Sequence, residues 1–146
     1  MNKMLFTLLF TILAFTAKAQ EKNNAVSGQA PKVLRPNQEW NYAQAYRSGN
    51  LLYISGTVAS GPMDKAIEQV YRTLQATLKQ YNLNFTHVVK ENLYTTNMEE
   101  TSKHHLVRKK FYGTHTPAAT WVQVVRLLEP NVVIEVELVA EIKKTE

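Results

Sequence analysis

The run "PNVVIEVELVAEI" (Pro130 to Ile142) carries carboxylates at Glu135, Glu137 and Glu141. A carboxylate within hydrogen-bond reach of a water molecule can take its proton as a general base, so an acid set in an apolar run is a candidate for hydrolytic chemistry. Strand geometry divides the run in two. Val132, Ile134, Val136, Leu138, Ala140 and Ile142 share one face, and Val133, Glu135, Glu137, Val139 and Glu141 share the other. The first face fits a core. The second must meet water, an opposite charge or a hydrogen-bond donor, because burying an unpaired carboxylate costs several kcal/mol or more. It is therefore a solvated face, or it borders a site or a subunit interface.

Other reactive side chains give weaker patterns. His87, His104, His105 and His115 are not spaced for a metal: neighbouring helical side chains diverge, and two ligands on one helix face stand four residues apart. No metal site is expected. The chain has no cysteine, which excludes a thiolate nucleophile, a disulfide framework and a zinc-thiolate centre. Arg108-Lys109-Lys110 reads as a solvated helix face. No nucleic-acid motif accompanies it, and no nucleic-acid partner is expected.

The elements that must position these groups begin after a leader. Lys3, the apolar stretch from Met4 to Thr16 and the small-x-small site Ala17-Lys18-Ala19 read as a secretory signal, residues 1–19, cleaved after Ala19. The apolar stretch is short for a membrane span, and no later segment qualifies, so no span is expected. A periplasmic or secreted location follows. Without Lys3 and Lys18, the formal charge falls from +5 to about +3, a modest excess that favours anionic small molecules slightly. Residues 20–38, polar and broken by Gly28, Pro31 and Pro36, read as a flexible leader, and residues 39–146 as one domain.

Within that domain, residues 41–47 and 51–59 flank the turn Ser48-Gly49-Asn50 and read as a hairpin, with Gly56 as a bulge or a place of close approach. Ile67, Val70, Tyr71, Leu74, Leu78 and Tyr81 recur at helical spacing as one apolar stripe. Residues 87–96 return to strand character. Asn97, with Glu100 three residues on, resembles a capping box and opens a shorter helix to about Tyr112, closed by Gly113. Two strands, Ala118–Val125 and Val132–Ile142, finish a β-β-α-β-α-β-β order of α+β class. Two helices can cover only one face of such a sheet, so the other face, which bears Glu135, is expected to meet further copies of the chain.

Over residues 38–142 the chain resembles the RidA/YjgF family. The likeness is carried by Tyr42-Ala43-Gln44-Ala45, Gly49 to Gly56 (GNLLYISG), Val88-Val89-Lys90, Phe111-Tyr112-Gly113, Pro117-Ala118 and Ile134-Glu135-Val136-Glu137. The resemblance implies a chorismate-mutase-like protomer, a homotrimer with a small-molecule ligand at each subunit interface, and no cofactor. It also implies hydrolysis of reactive enamine or imine acids, such as 2-iminobutanoate and 2-iminopropanoate, to the keto acid and ammonia. In that reading Glu135 positions or activates the water, while Tyr42, Gly56 with its neighbouring amides, His105, Pro117, Ala119 and Trp121 line the ligand. Ala119 stands where the family pattern has an arginine that grips the substrate carboxylate, and alanine offers no such fork. His105 and Trp121 also replace the family's usual residues, an asparagine and a small side chain. Two functions therefore remain open: a deaminase acting on a C=N compound, and a non-catalytic small-molecule-binding protein of the cell envelope.

Overall fold

The computed structural model describes residues 31–142, so the signal segment and most of the leader lie outside the described residues. Six strands and three helices are present there: β1 Val33–Asn37, β2 Tyr42–Ser48, β3 Leu51–Ser60, α1 Met63–Lys79, β4 Val88–Thr95, α2 Met98–Lys103, α3 His105–Tyr112, β5 Ala118–Gln123 and β6 Val132–Glu141. They build one sheet of order β1-β2-β3-β6-β4-β5, antiparallel except for the β4–β5 pair. The architecture is the expected α+β class.

The differences from the sequence reading are local. Strand β1 lies inside the stretch read as a leader, and ordered pairing begins before Trp40. Pro36 obscures that strand in the sequence, yet an edge strand tolerates a proline because its outer N–H groups have no ladder to serve. The helix expected from Asn97 to Tyr112 is two helices, broken at His104. Asn97 caps α2 by accepting from the Glu100 N–H at 3.0 Å, but the reciprocal capping box is found instead at Asn84 and His87, around a short 3-10 turn. Strand β5 stops at Gln123, and Val125 beyond it is fully exposed.

The helices cover one face only. The α1 stripe of Ile67, Val70, Tyr71, Leu74 and Leu78 is buried against Leu52 and Ile54 of β3, Leu93 of β4, and Ile134, Val136 and Leu138 of β6. Each such side chain stabilises the fold by about 1.5–3 kcal/mol in removing its apolar surface from water. On the opposite face no element among the described residues covers Tyr42, Tyr46, Tyr53, Val58 and Val122, which are 40–46% exposed. Along β6 the alternation read from the sequence holds: Val132, Ile134, Val136, Leu138 and Ala140 are buried, while Val133, Glu135, Glu137 and Val139 are half-buried.

Candidate active site

The uncovered face is where Glu135 and Gly56 meet. Strands β3 and β6 pair with a register shift between Ile54 and Thr57, a bulge at Ser55-Gly56. The Ser55 hydroxyl pins the bulge by donating to the Ala43 carbonyl of β2 at 2.7 Å. Glycine is required there for want of space: a Cβ on Gly56 would lie 1.8 Å from Glu135 Oε1 and 2.7 Å from its Cδ. The Glu135 carboxylate thus fills the volume that any other side chain at position 56 would take.

Beside it, strand β2 contributes Tyr42 and Gln44. The Tyr42 hydroxyl donates to Gln44 Oε1 at 3.4 Å, and Gln44 Nε2 donates to Thr57 Oγ1 at 3.4 Å. Partial burial holds the Tyr42 phenol above its ordinary pKa, with the Glu135 charge adding to the effect. Partial burial also raises the Glu135 carboxyl above the usual glutamate range, and the neighbouring Glu137 charge pushes in the same direction.

The two adjacent acids of β6 differ in their partners. Glu137 accepts from Asn92 Nδ2 at 2.6 Å and from the Tyr94 hydroxyl at 3.4 Å, both on β4. Among the described residues no group donates to Glu135, and its oxygens are not sealed from solvent, since the sole sealed and unpartnered side-chain polar atom there is the Tyr81 hydroxyl. Glu137 is a structural acceptor; Glu135 keeps free lone pairs for a water or a ligand. Glu141 is exposed and accepts from Asn50 Nδ2 at 3.4 Å.

The structure therefore unites Tyr42, Gly56 and Glu135, and sets the remaining sequence candidates apart from them within one chain. His105 opens α3, exposed, its Nδ1 2.8 Å from the Ser102 carbonyl. Pro117 precedes β5. Ala119 and Trp121 belong to the helix side of β5, in register with Glu91 and Leu93, while Thr120 and Val122 pair with Asn92 and Tyr94 of the open face.

That helix side holds a cluster whose members were absent from the sequence candidates, Trp121 excepted. Glu91, fully buried, accepts from Tyr71 at 2.8 Å, Tyr112 at 2.7 Å, Arg108 Nε at 2.8 Å and Trp121 Nε1 at 3.1 Å. Burial is the largest influence and opposes the Arg108 charge, but the Glu91 carboxylate, Tyr71 and Tyr112 beside it together outweigh burial and raise the guanidinium pKa. Burial first, and Glu91 second, hold both tyrosines well above the ordinary phenol range. A signal existed in the sequence: strict alternation through β4 sets Glu91 on one face with Leu93 and Thr95, where a solvated acid does not belong.

Among the described residues no group of three or more His, Cys, Asp or Glu side chains could hold a metal ion, and no helix is long and apolar enough to cross a membrane.

Comparison with known proteins places this geometry among relatives. A family model described as Endoribonuclease L-PSP matches residues 32–142. AldR of Lactococcus lactis is 32% identical over 123 residues, covering 78% of this chain and 93% of AldR. A 2-iminobutanoate/2-iminopropanoate deaminase of Dermatophagoides farinae is 26% identical over 123 residues, covering 78% of this chain and 91% of the deaminase. The crystal structure of yeast Mmf1 superposes with a TM-score of 0.68 at 27% identity, over 80% of this chain and 98% of Mmf1.

Proposed function

This chain belongs to the RidA/YjgF family, and from that premise we propose that it hydrolyses a small imine or enamine acid at a site centred on Glu135. The observation that carries the reading is the Glu135 carboxylate seated over Gly56, beside Tyr42 and without a hydrogen-bond donor among the described residues. An unsatisfied carboxylate at the edge of a half-buried surface is placed to accept a proton from water, and a pKa raised by burial brings a weak base closer to the strength the step needs.

The reaction balances without a cofactor. Glu135 takes a proton from water as the oxygen attacks the iminium carbon. Glu135 returns that proton to the amino nitrogen of the tetrahedral carbinolamine; the hydroxyl oxygen then forms the C=O bond as the C–N bond breaks, and its proton passes by way of Glu135 to the departing ammonia, giving ammonium. One water enters, and one keto acid and one ammonium ion leave. The Tyr42 hydroxyl and the backbone amides around Gly56 orient the ligand.

Tyr42, Tyr46, Tyr53, Val58 and Val122 form an apolar, aromatic surface that a second copy of the chain would cover. The reading therefore includes a homotrimer with a pocket at each interface, where side chains from the helix side of β5 in one copy meet Glu135 of its neighbour. It also includes export through the N-terminal leader.

The test generates 2-iminopropanoate enzymatically in the presence of the purified protein and follows keto-acid formation. Acceleration that disappears in Glu135→Ala is the expected result, and an unchanged rate in that variant overturns the assignment. A second reading, a non-catalytic binding protein, is favoured by Ala119, which leaves β5 without a guanidinium of its own. It predicts no acceleration by the wild type, together with saturable binding of the keto acid.

A further inference from the structure

The Glu91 carboxylate has no acceptor capacity to spare. Oε2 takes the Tyr71 and Tyr112 hydroxyls, and Oε1 takes Arg108 Nε and Trp121 Nε1. These four donors exhaust the strong lone-pair positions of a carboxylate. A group so saturated takes no ligand, and its effect is to fix what surrounds it.

What it fixes is an arginine. Arg108 is tied through Nε alone, with its guanidinium carbon 4.4 Å from the centre of the Tyr112 ring and 5.5 Å from that of Trp121. Among the described residues no carboxylate or carbonyl accepts from its two terminal nitrogens, although the Tyr112 hydroxyl, itself bonded to Glu91, lies beside the guanidinium, and they are not sealed away, because the sole sealed orphan atom there is the Tyr81 hydroxyl. The side chain remains 18% exposed. A guanidinium held at one edge by a carboxylate and stacked on aromatic rings presents its other N–H groups in a rigid fork, the geometry that matches a planar carboxylate. The neighbouring position on β5, in register with Glu91, is Ala119, whose small exposed side chain leaves that approach open at the edge of the sheet.

We propose that Arg108, oriented by Glu91 between Tyr112 and Trp121, is a binding site for the carboxylate of a small organic acid. Its ligand class rests on the imine-acid reading above, but its geometry does not depend on Glu135. Within one chain the two lie on opposite faces of the sheet, so a single ligand reaches both only where two copies meet. The arginine absent from position 119 is then replaced by one from helix α3, with aromatic walls that favour a flat, partly apolar acid.

The probe is 2-oxobutanoate, with 2-butanone as its uncharged counterpart, titrated against the purified protein carrying Trp40→Phe so that Trp121 is the remaining indole. Saturable change in Trp121 fluorescence with the acid, and none with the ketone, is expected. The double variant Glu91→Gln/Arg108→Met keeps one amide oxygen as acceptor for the tyrosines, removes both charges together, and should weaken binding by about tenfold or more. Should it fail to fold by circular dichroism, Arg108→Lys keeps the buried charge pair and loses the fork, with the same direction expected. Absence of saturation in the parent, equal response to the ketone, or parental affinity in a folded variant overturns the site. Imine hydrolysis is a separate readout: acid binding without hydrolysis removes the catalytic role of Glu135 and leaves this site standing, while hydrolysis without Arg108-dependent binding does the reverse.

Discussion

Replacing Gly56 by alanine tests the catalytic geometry with one methyl group. The added Cβ would stand 1.8 Å from Glu135 Oε1, whereas ordinary contact begins at 3.4 Å, so the oxygen must retreat by about 1.6 Å. Backbone strain plays no part, because Gly56 is not among the glycines with positive φ. The carboxylate is the far end of a flexible side chain on a half-buried face, so the stability cost should stay near the low end of overpacking, about 1 kcal/mol. Catalysis is far less tolerant: a displacement of roughly 1 Å from productive geometry costs on the order of a hundredfold in rate. Gly56→Ala should therefore unfold in urea close to the parent while losing about two orders of magnitude in kcat for 2-iminopropanoate hydrolysis. A variant with parental kcat, in a protein where Glu135→Ala is inactive, would show that the position of the carboxylate is immaterial and would refute the reasoning.

The remaining perturbations separate structural from chemical acids. Glu91→Ala strands Arg108 beside two phenols and an indole, and should cost about 3–5 kcal/mol in equilibrium unfolding; a loss below about 1 kcal/mol would mean that the cluster is not tight in solution. Tyr81→Phe removes the sealed hydroxyl that has no partner, so it should raise the thermal midpoint, and a marked fall would reveal a partner for that hydroxyl. Glu135→Gln acts through pH. The folded-state pKa of Glu135 is raised above the ordinary 4.5, so folding favours the protonated acid, and the parent loses stability as pH climbs from the unfolded value through the raised one. The glutamine variant should match the parent in acid and exceed it at neutral pH, as read by urea unfolding at both; an advantage confined to acid would reverse the sign and refute the shift.

Much of this molecule was legible in its sequence where one physical signal acted alone. The alternation along β6 separated Ile134, Val136 and Leu138 from Glu135 and Glu137, and the inner Gly56 announced the bulge. The α1 stripe announced the core. Legibility failed where two signals competed. Pro36 outweighed the strand character of Val33–Asn37 because edge pairing is a property of the sheet, which no local window contains. A continuous helix through His104 satisfied the capping pattern at Asn97, yet the chain breaks there. Arg108 looked like one member of a solvated basic triplet, and its burial became visible only once β4 brought Glu91 beneath it. Trp121 shares a strand with residues of the open face, but one step of alternation sends its indole to Glu91 instead.

The distribution of hydrogen-bond donors separates the chemistry from the scaffold. Three buried or half-buried acids lie on the adjacent central strands β4 and β6, where Glu141 is exposed. Glu91 has four donors, Glu137 has two, and Glu135 has none among the described residues. A fold under pressure only for stability gains nothing by leaving one of three half-buried or buried carboxylates unserved, because each missing donor leaves desolvation uncompensated. The bulge at Gly56 makes space for that carboxylate without supplying it a partner. Tyr42 stands beside it, with its hydroxyl turned to Gln44. What completes Glu135 therefore lies outside the described residues, and a carboxylate with free lone pairs at the rim of an apolar surface is the arrangement that the proposed hydrolytic step requires.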